Sequence, residues 1–262
     1  RRNLAILYQL QGRLNRSAGN YTAAVAAFQE MQKLGPEEDQ RARLLIVESY
    51  RDANDLPSAF AEMTRALTAY PNDRSLWINQ ALLYGESGQP DVAARSLRAL
   101  LNRSAGDREI QVNVAEVYMQ NRRYAEAEDA LRSAEALGGD AEDKETTDFL
   151  HASVYERQQK FDQAERAFRG VLASNPRHSG ALNYFGYMLA EQGVRLDEAV
   201  SLIDRALAED PNNPSYLDSM GWVRFKQDRL PEAEEYLRKA ISRNARNPEI
   251  LAHLEWIGFV RP

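Results

Sequence analysis

Apolar residues recur along the chain at helical three-and-four spacing in stretches of about 14 residues, each roughly 21 Å of helix at 1.5 Å per residue. The stretches come in pairs, and the pairs repeat. Alanine anchors stand at Ala24, Ala59, Ala93, Ala127, Ala164, Ala199 and Ala233, separated by 34 to 37 residues. Four places after each anchor is a larger apolar residue: Phe28, Met63, Leu97, Leu131, Phe168, Ile203 and Leu237. Twelve places after four of the anchors stands a proline, Pro36, Pro71, Pro176 or Pro211, which stops the second helix. Nine places before, Tyr50, Tyr84, Tyr118 and Tyr155 fall in register. Two amphipathic helices per period predict tandem helical hairpins, none of which can bury its stripe without neighbours.

The register predicts one array over 1–262, with hairpins at 5–38, 40–73, 74–107, 108–141, 145–178, 179–213 and 214–247. Residues 248–262 read as a capping helix or the start of a truncated eighth repeat. Small residues at Gly12, Ala81, Ala115, Ala152, Gly186 and Gly221 would let helix axes approach to about 8 Å. Between the fourth and fifth anchors the spacing stretches to 37 residues through the Gly-rich, acidic segment 137–144, a candidate hinge. Its plainer alternative is a longer solvated loop, since loops absorb insertions cheaply. The sixth hairpin carries one inserted residue in EQGVRLDEA.

Composition then excludes function classes. The chain has no Cys, which removes disulfides, cysteine-ligated metals and thiol nucleophiles. Its 33 Lys and Arg against 39 Asp and Glu leave a net charge of −6, which opposes a dedicated phosphate-backbone binder. No apolar run approaches the 18 or so residues of a membrane span, and the start at Arg1-Arg2-Asn3, without an initiator Met, predicts an excised fragment. His151, His178 and His253 are too scattered for a local metal motif, and no catalytic, phosphate-binding or dinucleotide motif occurs. The expectation is no enzyme, no metal and no cofactor.

The repeating residues resemble the tetratricopeptide repeat. The clearest unit is SYLDSMGWVRFKQDRLPEAEEYLRKA at 215–240, with Leu217, Met220, Gly221, Ala233, Leu237 and Ala240 at signature offsets and Arg224 in place of the usual aromatic residue. The resemblance implies an all-α, right-handed α-solenoid of tandem helix-turn-helix repeats. It also implies a non-catalytic, monomeric scaffold or adaptor that binds a protein or peptide along a concave wall of first helices.

Carried onto this sequence, the wall positions give the candidate binding residues Asn79, Leu82, Asn113, Asn183, Tyr184, Tyr187, Asp218, Trp222 and Phe225. Leu45, Glu48, Ile78, Val112, Glu116, Met119, Phe149 and Leu150 share the register, and Trp256 would continue the row. A carboxamide can donate to and accept from an extended peptide backbone, and aromatic groups dominate interface hot spots. The plain alternatives are polar surface for the asparagines and helix packing for the aromatics. Trp222 is expected to project into the groove. The cation pairs with which some tetratricopeptide domains clamp a terminal carboxylate are missing: the matching places hold Gln9 and Arg13, Leu44 and Glu48, Ile78 and Leu82.

The phrases ALNYFGYMLAEQGVRLDEA and DPNNPSYLDSMGWV are similar to the C-terminal repeats of bacterial cell-envelope tetratricopeptide proteins, including lipoprotein adaptors of periplasmic proteases. That similarity implies a periplasmic or outer-membrane-anchored protein of a bacterium. Two rivals are an RNA reader of the pentatricopeptide type, opposed by the acidic charge, and the substrate-docking arm of a larger enzyme.

Overall fold

The structure, a computed structural model, describes residues 2–104, 106–243 and 247–260, and among them every regular element is an α-helix. Two compact units divide the chain, Arg1–Leu137 and Gly138–Pro262. The first unit stacks four hairpins: α1 (Arg2–Ser17) with α2 (Tyr21–Gln32), α3 (Pro36–Asp52) with α4 (Leu56–Ala69), α5 (Arg74–Glu86) with α6 (Pro90–Arg98), and α7 (Asp107–Gln120) with α8 (Tyr124–Ala136). The second stacks three: α9 (Ala141–Arg157) with α10 (Phe161–Ser174), α11 (Ser179–Glu191) with α12 (Leu196–Glu209), and α13 (Pro214–Lys226) with α14 (Leu230–Arg243). A last helix, α15 (Pro248–Val260), packs on α13 and α14.

The anchors explain the stacking. All seven anchor alanines, and all seven larger residues four places on, are fully buried, and within each unit a second helix that is followed by another helix is gripped on one stripe by its own first helix and by the next. Close approach depends on glycine at two places in particular. A Cβ on Gly186 would lie 2.6 Å from Ile203, and one on Gly221 would lie 2.7 Å from Leu237, in each case the residue four places after the anchor.

Every hairpin turns the same way. Gly19, Asn54, Gly88, Arg122, Gln159, Gly193 and Asp228 each adopt a left-handed φ of 58–77°. The next N–H then donates to the carbonyl five residues back at 2.8–3.1 Å, closing the first helix with its exposed carbonyls satisfied. In the sixth hairpin the inserted residue adds a second left-handed position, Arg195, at the cap of α12.

The segment 137–144 differs from the expected loop. Residues 141–144 are the first turn of α9, because Asp140 and Asp143 form a reciprocal capping box: Asp140 Oδ1 accepts the Asp143 N–H at 2.9 Å, and Asp143 Oδ2 accepts the Asp140 N–H at 3.1 Å. The fifth hairpin therefore starts at 141 and not at 145.

Candidate functional site

Within the second unit the first helices α9, α11 and α13, together with α15, enclose a cavity of about 570 Å³. Side-chain caps fix where these helices begin. The side chain of His178 caps α11 by accepting the Ala181 N–H at 3.0 Å, and Asn213 caps α13 by accepting from Ser215 and Tyr216 at 3.0 and 3.4 Å. Asn247 caps α15 in the same manner, accepting the Glu249 N–H at 2.9 Å.

The walls are aromatic and acidic. Phe149 meets Tyr184 edge-on, ring centroids 5.5 Å apart, and the Tyr216 hydroxyl lies 3.0 Å from Ser179 Oγ. Tyr187 donates its hydroxyl to Glu249 Oε1 at 3.3 Å. Burial, reinforced by the charges of Glu191, Glu249 and Asp218, holds the Tyr187 hydroxyl far above the usual phenol range. Burial also raises the Glu156 carboxyl, with Arg157 opposing the shift and Glu191 and Glu249 adding to it. Asn183 is only 6% exposed, and its Oδ1 has no hydrogen-bond partner among the described residues. An unmade hydrogen bond at a buried acceptor costs about 1–3 kcal/mol, so a donor that reaches this carboxamide oxygen is favoured.

Asn183, Tyr184, Tyr187 and Asp218, expected on the wall, are brought together around this cavity. Trp222 corrects the expectation. Its ring is 8% exposed, stacked on Phe225 at 5.1 Å and on His253 at 4.2 Å, and its indole N–H is donated to Glu191. Trp222 stands on α13 where Tyr187 stands on α11, but His253 of α15 lies over it. Phe225 is half-buried against Ala233, Leu237 and Ile257, and Trp256 is 60% exposed, outside the cavity lining.

In the first unit Asn79, Leu82 and Asn113 are half-buried, and Asn79 donates Nδ2 to the Ser75 carbonyl of its own helix at 2.9 Å. Leu45, Met119 and Leu150, placed on the wall by register, are core residues instead. Glu156 and Glu249 carry no signal in the repeat register. Glu156 follows Phe149 by seven residues on one face of α9, and Glu249 follows the cap of α15, but a lone acidic residue on a helix reads first as solvated surface. Among the described residues no group of three or more His, Cys, Asp or Glu is placed to hold a metal, and no helix is long and apolar enough to cross a membrane.

The tetratricopeptide repeat profile matches residues 10–74, 78–142 and 149–214. The chain belongs to the tetratricopeptide repeat family. It is 37% identical over 82 residues to the TPR repeat-containing protein PA4667 of Pseudomonas aeruginosa, a match covering 31% of this chain and 14% of that protein. A tetratricopeptide repeat protein from Parabacteroides merdae superposes with a TM-score of 0.68 at 18% identity, covering 98% of this chain and 99% of the other. PilW, a type IV pilus biogenesis factor, superposes with a TM-score of 0.57 at 18% identity over 82% of this chain and 98% of its own. These likenesses establish the helical-repeat solenoid fold, and the tetratricopeptide repeats support a protein-interaction scaffold.

Proposed function

We propose that this tetratricopeptide protein is a non-catalytic scaffold whose second unit receives an extended peptide segment in the cavity between α9, α11, α13 and α15. The observation that carries the reading is the buried, unpartnered Asn183 acceptor beside the aromatic wall of Phe149, Tyr184 and Tyr187. A peptide backbone N–H satisfies that acceptor, and the rings supply apolar contact at little entropic cost. The carboxylates on the same wall repel phosphate and weigh against RNA as the ligand.

Selection of phage-displayed random decapeptides on the chain tests this. Peptides should be recovered, and Tyr184→Ala should weaken their binding at least about tenfold with an unchanged helical circular dichroism spectrum. Failure to recover any peptide, or binders indifferent to Tyr184→Ala, refutes the reading. We further propose a monomeric state and a bacterial envelope location, the latter supported by the residue phrases at 181–199 and 210–223. Fractionation of the source cells and sedimentation of the chain check these two points.

A further inference from the structure

Resting on the peptide-groove reading, we infer that the cavity of the second unit selects an arginine side chain of the bound peptide. Among the described residues three carboxylates line it, Glu156, Asp218 and Glu249, against one cation, Arg157. Their commitments differ. Asp218 is held by His253, with Nδ1 at 3.0 and 3.1 Å from its two oxygens, and Glu249 accepts one hydrogen bond from Tyr187. The Glu156 carboxylate has no hydrogen-bond or ion-pair partner among the described residues. The wall thus offers a negative field, a carboxylate on α9 without a hydrogen bond, spare lone pairs on α15 and, once its amide turns, the buried Asn183 oxygen on α11.

Helix N-termini reach the same space and would favour an anion, but Asn213 and Asn247 already occupy their first free N–H groups. A helix end carries about half an elementary charge and acts over one turn, whereas the carboxylates carry full charges. The balance is therefore negative, and the complementary ligand is a cation.

The guanidinium is favoured over an ammonium by the distribution of acceptors. They come from three helices, on different sides of the cavity, and a planar group with five donors in a fixed fork can meet several where a point charge meets one cluster. The rings of Phe149, Tyr184, Tyr187 and Tyr216 add faces on which a guanidinium stacks. The volume lies within the 300–1,000 Å³ or so typical of small-ligand sites, ample for one long side chain. Rotation about χ2 lets Asn183 turn its oxygen toward the bound group.

The test uses the strongest decapeptide recovered by the phage selection, synthesised with arginine, lysine or citrulline at its most constrained position. Arginine should be enriched among recovered peptides over the unselected library, and its replacement by citrulline, which keeps shape and loses charge, should weaken binding at least about tenfold. Lysine should fall between the two. In the double variant Glu156→Gln, Glu249→Gln the arginine and citrulline peptides should bind within about twofold of each other, at the citrulline affinity of the parent. Recovered peptides without cationic enrichment, or a citrulline peptide that binds equally well, overturn the arginine assignment and leave the peptide groove standing. Equal binding of lysine and arginine overturns the guanidinium preference. A double variant that retains the discrimination overturns the assigned carboxylates, and a selection that returns no peptide removes both proposals.

Discussion

The His253 imidazole lies nearly flat on the Trp222 indole, centroids 4.2 Å apart and planes 19° from parallel, while its Nδ1 sits on the Asp218 carboxylate. A single residue of α15 thereby covers an aromatic ring and pairs a buried acid on α13. Trp222→Ala should therefore cost stability, about 3–5 kcal/mol, as truncation of a core aromatic does. His253→Ala leaves the buried Asp218 carboxylate without its hydrogen-bond partner and should cost about 1–3 kcal/mol. Urea denaturation followed by circular dichroism measures both. A Trp222→Ala protein that unfolds at the parent's urea concentration would return this ring to the groove.

Two glycines in helices of the second unit should respond to the same substitution with opposite sign. At Gly221 a new Cβ meets Leu237 Cγ at 2.7 Å and the Ala233 carbonyl at 3.1 Å, and neither can retreat from a fully buried stripe. Gly221→Ala should destabilise by about 1–3 kcal/mol despite alanine's better helix propensity. At Gly170 on α10 nothing lies within 4 Å of the new Cβ, so Gly170→Ala should stabilise by about 0.5–1 kcal/mol. Thermal melts of the two variants decide the point.

The second unit should lose stability in acid through Glu165. Arg195 donates to both its oxygens at 2.8 and 2.5 Å, and Arg169 adds a bond at 3.0 Å. The hydrogen bond from Arg195 is the largest cause that pushes the Glu165 carboxyl down from 4.5 to about 2. A carboxyl depressed in the folded state stabilises above its unfolded pKa, and that stabilisation drains away as pH falls from about 4.5 toward 2. Because solvent reaches both arginines, the contribution is discounted to about 1 kcal/mol. Glu165→Gln should cost that much at pH 7 and progressively less below pH 4.5. A deficit that stays constant down to pH 2 would contradict the linkage.

Much of this architecture is legible in the chain. The alanine anchors, the larger residues four places on and the glycines at the contact positions mark which faces meet, because a helix cannot be gripped closely on both sides without small residues there. The turn residues are less legible. Asn54, Arg122, Gln159 and Asp228 take the left-handed turn position without being glycine, held by the hydrogen bonds on either side. Of the site, Asn183, Tyr184, Tyr187 and Asp218 follow from register. Trp222 does not, because its burial depends on His253, which stands 35 residues after Asp218 on α15, a helix outside the seven paired hairpins. Glu156 and Glu249 become a pair facing one space only when α9 and α15 are seen to border the same cavity.

Equal register does not mean equal burial, and the first unit offers a direct comparison. Leu14 and Leu83 both stand ten places before their anchors, yet Leu14 is 70% exposed and Leu83 fully buried. The place is covered by the preceding hairpin, which α5 has and α1 lacks among the described residues. Leu83→Ala should cost about 2–5 kcal/mol, and Leu14→Ala no more than about 0.5 kcal/mol. Similar losses at the two places would mean that α1 is covered in solution.

The start of α9 can be tested residue by residue. Gly138 and Gly139 take positive φ values of 76° and 152°, outside the range most residues adopt comfortably, and their segment carries no buried side chain. From Asp140 onward the backbone is tied: its side chain accepts the Asp143 N–H, and its carbonyl accepts the Lys144 N–H at 3.1 Å. Glu142 and Asp143 place negative charge where the helix end is positive, which adds to the cap. Hydrogen exchange should therefore show rapid exchange at 138 and 139 and a step to slower exchange at 143 and 144. Asp140→Ala removes the cap, costs about 1 kcal/mol, and should speed exchange at 143 and 144 while leaving the interior of α10 and α11 unchanged. Exchange equally fast from 138 through 144 in the parent protein would show that this turn of α9 is open, and that the extra residues of this period act as a loop after all.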